Sequence, residues 1–475
     1  MEPIPEEQVL KRIQTENIWW NPPHHITDTY YRYRHRAYFD LLLPLVLETS
    51  VNRAIVLMGP RRVGKTVLIH HVIQRLIDEG VNPKQVCYVS VDHPIYNALG
   101  LQDLLDLFSK ATAIGLAGTQ LFVFFDEIQY LKDWEIHLKA LVDMYPSITF
   151  IASGSAAAAL RMKSRESGAG RFTDFLLPPL TFYEYLDLLE RHGLVKLDEE
   201  TDEFKADDII ALNRAFVHYL NFGGYPEVIF SDRIQSDPAR FVKADIIDKV
   251  LLRDLPSLYG IQDIQELNYL FTTLAFNTAN EVSLEELSRN SGVAKNTIKR
   301  YIEYLEAAFL IKVVHRIDRT ARRFRRANYF KAYLSNPSMR SALFTPIKEN
   351  DEFMGALVET GIFSQWFHSD ATLNYARWRN GEVDIVCLDA RRTRSWAVEV
   401  KWSDRFVAKP GELKSVIQFC RSNGFDQVKV TSRSLSAQRT VEGIEIEFEP
   451  ASLYCYKVGR NLIRGPGKGE PSMLD

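Results

Sequence analysis

A short glycine-containing loop carries the residues with the clearest chemistry in this chain. Residues 59 to 66, GPRRVGKT, have the spacing G-x-x-x-x-G-K-T. The glycines allow the backbone to wrap an anion, the lysine ammonium neutralises phosphate charge, and the threonine hydroxyl is a ligand for Mg²⁺. The pattern therefore predicts a phosphate loop that binds ATP. The predicted nucleotide-binding residues are Gly59, Pro60, Arg61, Arg62, Val63, Gly64, Lys65 and Thr66.

The residues on both sides of this loop predict the elements that position it. The apolar run from Ala54 to Met58 predicts a buried strand, and Val67 to Ile77 have apolar residues at helical spacing. The loop then joins a strand to a helix N-terminus, where the helix dipole favours an anion. A chance glycine-rich turn is the alternative, and both flanks argue against it.

Two carboxylates end another apolar run. Leu121 to Phe125 predict a buried strand that is followed directly by Asp126 and Glu127. We expect Asp126 to hold Mg²⁺ together with Thr66, and Glu127 to act as the general base on water. A cap for a following helix is the alternative role of such a pair. ATP and Mg²⁺ are therefore the predicted cofactors.

Ser153 ends a further predicted strand, Thr149 to Ala152. A polar side chain at the end of a strand next to the nucleotide is placed to sense the γ-phosphate. An ordinary Ser-Gly-Ser turn is the alternative.

Five segments together carry a family resemblance. They are GPRRVGKT, FFDEIQYLKDW, ASGS, Gly170-Arg171 with the later LLPPLTFYEYL, and GGYP at residues 223 to 226. The chain resembles archaeal and bacterial AAA-type ATPases whose AAA domain precedes a domain of unknown function labelled 4143, over residues 15 to 455. The resemblance implies an arginine that meets the γ-phosphate of its own or a neighbouring subunit. Arg171 matches best and Arg253 is second, and a surface ion pair is the alternative for both.

A second group of chemical residues lies near the C-terminus. Glu382 to Leu388 and Trp396 to Lys401 predict neighbouring strands, and Phe353 to Phe367 predict a helix that carries Glu359. Because side chains alternate along a strand, Glu399 and Lys401 share one face. Asp384 can face the same site from the neighbouring strand.

This order of an acidic helix residue, then Asp, then Glu-x-Lys resembles the restriction-endonuclease-like superfamily. The resemblance implies that Asp384 and Glu399 bind Mg²⁺, that Lys401 assists the attacking hydroxide, and that Glu359 is an accessory ligand. An inactive descendant that keeps the fold is one alternative. A buried ion pair in an ordinary sheet is another.

Ser283 to Leu310 have the pattern of a winged helix-turn-helix, with Gly292 in the turn. The exposed face of the second helix would present Lys295, Asn296, Lys299 and Arg300. These groups can contact the phosphates and base edges of double-stranded DNA. Arg316 to Arg326, the densest basic stretch, follows directly. Docking to a protein partner is the alternative for this module.

Composition limits the class of protein. The 475 residues have a formal net charge of −3, so binding to nucleic acid would have to come from local patches. The four cysteines, Cys87, Cys387, Cys420 and Cys455, lack the spacing of a zinc site or disulfide framework. No apolar run approaches membrane-spanning length and the first residues, MEPIPEEQ, do not resemble a signal peptide, so a cytoplasmic protein is expected.

The predicted fold is α/β: a phosphate-loop AAA-type ATPase core with a helical lid, a winged helix-turn-helix module and a C-terminal restriction-endonuclease-like domain. The predicted boundaries are lead-in helices 1–50, ATPase core 51–190, lid 191–265, winged helix 266–330, nuclease-like domain 331–457 and flexible tail 458–475. We expect ATP hydrolysis to reposition the C-terminal modules, with double-stranded DNA as one candidate partner and a protein as another. One alternative is an ATP-controlled scaffold with an inactive nuclease-like domain, and another is a DNA-binding regulator timed by slow hydrolysis. The sequence leaves the oligomeric state open.

Overall fold

A computed structural model describes residues 5–154, 170–198, 200, 202–322, 328–367, 369, 371–388 and 396–465. The chain divides into two compact units, residues 1–177 and 178–475. The last residues of the predicted basic stretch, 323–327, the turn between the two C-terminal strands, 389–395, and residues 466–475 of the predicted tail lie outside the described ranges.

The first unit is built on a parallel sheet of five strands in the order β2-β3-β4-β1-β5. Because β1 and β3 are entirely buried, their sequences are continuously apolar rather than alternating. The predicted strands are confirmed, and their carboxyl ends meet at one edge of the sheet. The strands are β1 Ala54–Met58, β2 Val86–Ser90, β3 Leu121–Asp126, β4 Ile148–Gly154 and β5 Phe172–Leu176.

Helices precede and connect these strands. The predicted helix after the phosphate loop is confirmed and begins at Lys65. Short 3₁₀ turns occur at Ile18–Trp20, Pro83–Gln85, Pro94–Tyr96 and Ile128–Tyr130. The α-helices among the described residues of this unit are α1 Glu6–Glu16, α2 Asp28–Tyr31, α3 Phe39–Leu47, α4 Lys65–Asp78, α5 Leu101–Thr112 and α6 Trp134–Met144.

The second unit contains a mixed sheet of nine strands in the order β15-β16-β14-β13-β12-β11-β9-β10-β8, and a separate hairpin of β6 and β7. The strands are β6 Val195–Asp198, β7 Glu203–Ala206, β8 Glu281–Ser283, β9 Ile311–Ile317, β10 Tyr329–Leu334, β11 Leu373–Trp378, β12 Gly381–Cys387, β13 Trp396–Glu399, β14 Gln427–Ser432, β15 Ala437–Val441 and β16 Ile444–Pro450.

Most helices of the second unit lie in one run between β7 and β8 or between the later strands. Between α10 and α11 the chain runs through two stretches of π-helix, Ala239–Asp248 and Val250–Asp254, and 3₁₀ turns occur at His192–Leu194 and Pro410–Glu412. The described α-helices are α7 Phe182–Leu188, α8 Ile209–Phe222, α9 Pro226–Ile229, α10 Asp232–Ser236, α11 Leu255–Tyr259, α12 Ile264–Phe276, α13 Leu284–Ser291, α14 Lys295–Ala307, α15 Ser338–Leu343, α16 Met354–Gln365, α17 Arg405–Ala408, α18 Lys414–Asn423 and α19 Ala451–Arg464.

Several predicted modules share one sheet and one core in this unit. β9 pairs in parallel with β11, so the strands that follow the two-helix segment and the C-terminal strands form a continuous sheet. Phe216 of the predicted lid is buried in the same core as Ile362 of α16 and Tyr454 of α19. The predicted boundaries at 190, 265 and 330 therefore do not coincide with the division at residue 177.

The predicted flexible tail from residue 458 is wrong for its first residues, because α19 continues to Arg464 and buries Val458 and Ile463. The high charge of residues 190–208 predicts a solvated insertion or hinge. The segment contains the β6–β7 hairpin, which is not wholly solvated, because it buries Val195 and Phe204 in the core. Their apolar side chains outweigh the charged neighbours because they face the interior.

Among the helices in the described ranges, none is long and apolar enough to cross a membrane.

Candidate functional site

The phosphate loop joins β1 to α4 with a backbone that only glycine permits at its first position. A Cβ atom on Gly59 would lie 2.2 Å from the carbonyl oxygen of Leu177. The Leu177 N–H in turn donates to the Met58 carbonyl, 2.7 Å away, which extends the pairing of β1 and β5. Gly64 has a left-handed φ of 96° and directly precedes α4. The loop is therefore held against the end of β5.

Lys65 is buried inside this loop. Its Nζ donates to the carbonyl oxygens of Gly59, 3.0 Å away, and Pro60, 2.8 Å away. These carbonyls hold the ammonium where the loop wraps an anion, and only 6% of the residue is exposed. The arrangement fits the β- and γ-phosphates of a nucleotide.

Asp126 joins three segments that are distant in sequence. Its Oδ2 accepts a hydrogen bond of 2.7 Å from the Thr66 hydroxyl, and its Oδ1 accepts one from the Ser153 hydroxyl. The Asp126 and Ser153 side chains are buried. The structure thus brings together Thr66, Asp126 and Ser153, which the sequence predicted separately. Hard oxygen ligands of this kind fit Mg²⁺.

Tyr88 is a member of this site that the sequence analysis missed. Its hydroxyl donates to Asp126 Oδ2 over 2.8 Å. Ser90 is the register partner of Asp126, so Tyr88 reaches the carboxylate diagonally from the neighbouring strand. A tyrosine in an apolar strand is also typical of an ordinary core residue, so the sequence carried no signal for this role.

Glu127 lies beside Asp126 but its backbone turns sharply. Its φ of 56° is left-handed, which is uncommon for a residue with a side chain. Its N–H donates to Asp126 Oδ1 over 3.2 Å and to the Ser153 hydroxyl over 3.3 Å, and its carboxylate accepts from Gln129. The two adjacent carboxylates therefore have separate environments, as the different roles predicted for them require.

A buried histidine follows the loop on α4. The Nδ1 of His70 is 2.8 Å from the Thr66 carbonyl oxygen, and its ring centroid is 4.7 Å from that of Tyr88. Burial lowers the pKa of His70, so the neutral ring donates from Nδ1. His70 thereby packs behind the residues that hold Asp126.

Residues before β1 also contact the loop. The guanidinium of Arg36 donates to the Val63 carbonyl over 2.9 Å, and both residues are buried. On α4, the Nε2 of His71 lies 2.8 Å from the Tyr30 carbonyl oxygen. Arg36 and Tyr30, which precede β1, therefore pack against the loop and α4.

Arg171 lies far from this edge of the sheet. It immediately precedes β5, whose first residue, Phe172, pairs with Ala54 at the start of β1. The phosphate loop follows the other end of β1, about 15 Å away at 3.3 Å per residue. Arg171 is exposed and forms an ion pair with Asp143. This position does not suit contact with the chain's own γ-phosphate, and a role across a subunit interface stays a prediction.

Arg253, the second arginine candidate, is an exposed residue in the second stretch of π-helix of the second unit. The four predicted DNA-contacting residues are also exposed. They are Lys295, Asn296, Lys299 and Arg300, all on α14. Lys295 forms an ion pair of 2.7 Å with Glu285 on α13.

The four predicted C-terminal residues come together in the second unit. Lys401 Nζ lies 2.7 Å from Glu399 Oε1 and 3.7 Å from Asp384 Oδ2. The same Asp384 oxygen accepts from the Val400 N–H over 2.8 Å. The second oxygen of Glu399 is buried and has no hydrogen-bond partner among the residues described.

Lys331 is an unpredicted cation in this cluster. Its Nζ lies 2.9 Å from Glu359 Oε1, 2.7 Å from Glu382 Oε1 and 3.8 Å from Asp384 Oδ1. The Tyr333 hydroxyl donates to the same Glu359 oxygen over 2.6 Å. Only 2% of the Lys331 side chain is exposed. Glu359, predicted as an accessory metal ligand, is therefore neutralised by a lysine.

Two side chains of the cluster, Glu359 and Glu399, have raised pKa values. Burial raises the pKa of Glu359 to about 7, and burial together with Asp384 raises the pKa of Glu399 to about 8. Within the described ranges, no group of three or more His, Cys, Asp or Glu side chains has the arrangement of a metal site. The three predicted ligands thus converge without forming a three-carboxylate metal cluster.

Two family models match this chain. One, described as an AAA domain, matches residues 51–186, and the other, a domain of unknown function (DUF8612), matches residues 213–351. The second model is not the domain labelled 4143 that the sequence resemblance implied, and that assignment stays a prediction.

Similar proteins span most of the chain. An uncharacterized protein of Methanocaldococcus jannaschii is 24% identical over 384 residues, which are 80% of this chain and 81% of that protein. An uncharacterized protein of Haemophilus influenzae is 21% identical over 341 residues, 70% of this chain and 79% of that protein.

A solved Walker-type ATPase of Pyrococcus abyssi is 14% identical, with 65% of this chain and 95% of that chain covered. Its TM-score of 0.37 supports no conclusion about the fold. The family model, the phosphate loop and the parallel sheet support a phosphate-loop ATPase core without this structural likeness. Residues 51–186 of this chain are an AAA-type domain with the fold of a phosphate-loop ATPase.

Proposed function

We propose that this chain binds and hydrolyses ATP with Mg²⁺ and uses the nucleotide state to reposition its C-terminal modules. The observation that carries the proposal is the 2.7 Å hydrogen bond between Thr66 and Asp126. It brings the start of α4, the end of β3 and the loop around Lys65 to one place. A phosphate, its metal ion and the attacking water all have protein partners there.

Each residue has a role that its position supports. Lys65 and the N–H groups of the loop bind phosphate oxygens, and Thr66 and Asp126 would hold Mg²⁺. When bound, the metal ion neutralises charge that develops on the phosphates. Glu127 orients and deprotonates the attacking water. Ser153 reports on the γ-phosphate through its contact with Asp126.

Two substitutions test these roles. Lys65→Ala should remove nucleotide binding, because the ammonium neutralises phosphate charge in the ground state. Glu127→Gln should retain binding and stall hydrolysis, because the carboxylate acts on water only as the reaction proceeds. Lys139→Ala, which removes an exposed lysine of α6, is the matched control. Equal loss of ATP affinity in both site variants would contradict the roles.

We propose that the segment from α12 to β10 acts as a winged helix that binds duplex DNA. The order α12, β8, α13, α14, β9, β10 supports this assignment, with β10 paired between β8 and β9. The exposed basic groups of α14 support contact with phosphates. DNA is then the partner on which ATP hydrolysis repositions the modules.

We propose a restriction-endonuclease-like origin for the C-terminal strands. A helix, α16, precedes three antiparallel strands, β11 to β13, and α18 then leads to β14, which is parallel to β13. The Asp384, Glu399 and Lys401 side chains converge on this sheet. A single Mg²⁺ between Asp384 and Glu399 fits the unpartnered Glu399 oxygen.

A second candidate function is an ATP-controlled scaffold whose nuclease-like domain is inactive and docks a protein partner. The position of Lys331 favours this alternative, because its ammonium satisfies Glu359 where an accessory ligand was expected. Cleavage assays on DNA and RNA with Mg²⁺ or Mn²⁺, with and without ATP, separate the two. Cleavage that Asp384→Ala and Lys401→Ala abolish would support the nuclease. The absence of cleavage in every nucleotide state would support the scaffold function, in which the nuclease-like domain is inactive.

A further inference from the structure

We infer that Tyr88 is a positioning residue of the proposed ATPase site and that Asn17, from the segment before β1, holds Tyr88 in place. This inference rests on the proposed function, because it concerns the carboxylate that would face Mg²⁺. It assigns residues 17 to 20 a part in the nucleotide site rather than only in packing.

The first contact fixes the carboxylate. Asp126 Oδ2 accepts two hydrogen bonds, 2.7 Å from Thr66 and 2.8 Å from Tyr88. Oδ1 accepts from Ser153 and from the Glu127 N–H. Both oxygens thus have donors from several directions, and the carboxylate plane is fixed. Tyr88 is the one of these donors that comes from the edge strand.

The tyrosine acts as a donor at neutral pH. A tyrosine hydroxyl has an ordinary pKa of about 10, and the buried Tyr88 hydroxyl lies 2.8 Å from Asp126 Oδ2. The proton therefore stays on the phenol, and the hydrogen bond to an ionised carboxylate is of the strong, charge-assisted kind.

The second contact fixes the tyrosine. β2 is an edge strand of the five-stranded sheet. The side-chain amide of Asn17 pairs with both outward backbone groups of Tyr88, because its Oδ1 accepts from the N–H over 2.7 Å and its Nδ2 donates to the carbonyl over 2.8 Å. Asn17 is completely buried and follows α1 directly. It replaces the strand that this edge lacks.

The neighbouring residues extend the same contact along the edge. The indole N–H groups of Trp19 and Trp20 both donate to the Val86 carbonyl, over 3.1 Å and 2.9 Å. Two consecutive outward carbonyls of β2, those of Val86 and Tyr88, thus accept hydrogen bonds from one segment of four residues, Asn17 to Trp20. The edge strand β2 is therefore anchored at Val86 and Tyr88. This anchoring fixes the position of the Tyr88 side chain along the strand relative to Asp126.

Loss of the Tyr88–Asp126 hydrogen bond should affect the binding of Mg²⁺ and not the binding of nucleotide alone. Tyr88 does not contact the phosphate loop through its hydrogen bond, so binding of nucleotide phosphates without metal does not depend on it. An Asp126 carboxylate that can rotate would hold Mg²⁺ less well. One charge-assisted hydrogen bond is worth about tenfold in an equilibrium constant.

The test uses the full chain and the conservative variant Tyr88→Phe. We expect the Mg²⁺ concentrations for half-maximal ATPase activity and for half-maximal Mg²⁺-dependent binding of a fluorescent ATP analogue to rise about tenfold. Binding of a fluorescent ATP analogue in EDTA should stay unchanged. The matched control is Tyr96→Phe, which removes another buried tyrosine–carboxylate hydrogen bond in the same unit, 2.8 Å to Glu16. A merely structural loss would weaken metal-free binding too.

Asn17→Leu tests the second contact. Its effect on the Mg²⁺ dependence should have the same direction as that of Tyr88→Phe and should not add to it in the double variant, because both changes release the same carboxylate. An unchanged Mg²⁺ dependence in Tyr88→Phe would overturn the inference while leaving ATP hydrolysis intact. A wild-type chain that binds Mg²⁺–ATP without hydrolysing it would overturn the proposed function alone, since the binding shift would still be measurable. A wild-type chain that binds no nucleotide would overturn both.

Discussion

The ammonium of Lys331 lies 2.9 Å from the carboxylate of Glu359 in the interior of the second unit. A buried lysine held by carboxylates on α16 and β12 costs desolvation energy, which only the surrounding charges offset. The pair therefore determines how the predicted ligands Glu359 and Asp384 can respond to a metal ion.

Replacing Lys331 by methionine should lower the free energy of unfolding by roughly 3–5 kcal/mol, because it leaves buried carboxylates without their cation. Chemical denaturation measures the change. Adding Mn²⁺ should recover more stability in this variant than in the wild type, since the ion then takes the place of the ammonium.

Lys429→Met is the matched control for this experiment. Lys429 also faces two glutamates in the same sheet, Glu447 at 2.8 Å and Glu449 at 3.4 Å, but outside the cluster. Its stability should not respond to Mn²⁺ in this way. If Lys331→Met gains no more from Mn²⁺ than Lys429→Met does, the cluster has no cation site that lysine fills.

The free energy of unfolding of the first unit should fall as the pH is lowered, because His71 is neutral in the folded state and becomes protonated on unfolding. Burial lowers the pKa of His71 to about 4, whereas an unfolded histidine titrates near 6.5. Between these values the unfolded state binds the proton and the folded state does not, so the contribution is complete above about pH 6.5 and is lost as the pH falls toward 4.

Denaturant titrations across this pH range, compared with His71→Gln, measure the contribution. The stability difference between wild type and variant should shrink as the pH falls. His137→Gln, at an exposed position on α6, serves as the control. A difference that is constant with pH would mean that His71 stabilises the fold only through packing and its hydrogen bond to Tyr30.

Gly59→Ala should destabilise the first unit and weaken nucleotide binding together. A Cβ atom at this position would lie 2.2 Å from the Leu177 carbonyl oxygen, and backbone cannot move aside as a flexible side chain can. We expect a loss of roughly 1–3 kcal/mol in the free energy of unfolding, the usual cost of overpacking. Gly115→Ala is the control, because nothing lies within 4 Å of a Cβ there. Equal effects of the two substitutions would contradict this steric account.

Neutralising Lys299 and Arg300 to glutamine should weaken binding to duplex DNA, with the loss largest at low salt. Each phosphate contact removed should also reduce the slope of affinity against salt concentration by about one. Fluorescence anisotropy at several salt concentrations measures both. The exposed pair Lys409 and Lys414, in the same unit but outside the α12–β10 segment, provides a control of equal charge. DNA affinity that is independent of salt, or absent at low salt, would favour docking of a protein partner.

The sequence by itself determined the phosphate loop and the elements around it. The eight loop residues are consecutive, and their spacing alone specifies a backbone that wraps an anion between a strand and a helix. The strands β1 and β3 could be predicted because they are entirely buried and hence continuously apolar. Asp126 and Glu127 were recognisable for the same reason, since they stand where an apolar run stops.

The tertiary structure alone decided which side chains meet. Tyr88 reaches Asp126 only because β2 lies next to β3 in a particular register, and Asn17 reaches Tyr88 only because β2 is at the edge. Lys331 is on β10, which pairs with β9, and β9 pairs with β11. These pairings bring Lys331 to the C-terminal cluster and join segments that were predicted as separate domains. Arg171 is excluded from its own nucleotide edge because it precedes β5 rather than following it. An apolar run specifies that a strand is buried, but strand order and register depend on contacts between segments far apart in sequence, and those contacts place each polar side chain.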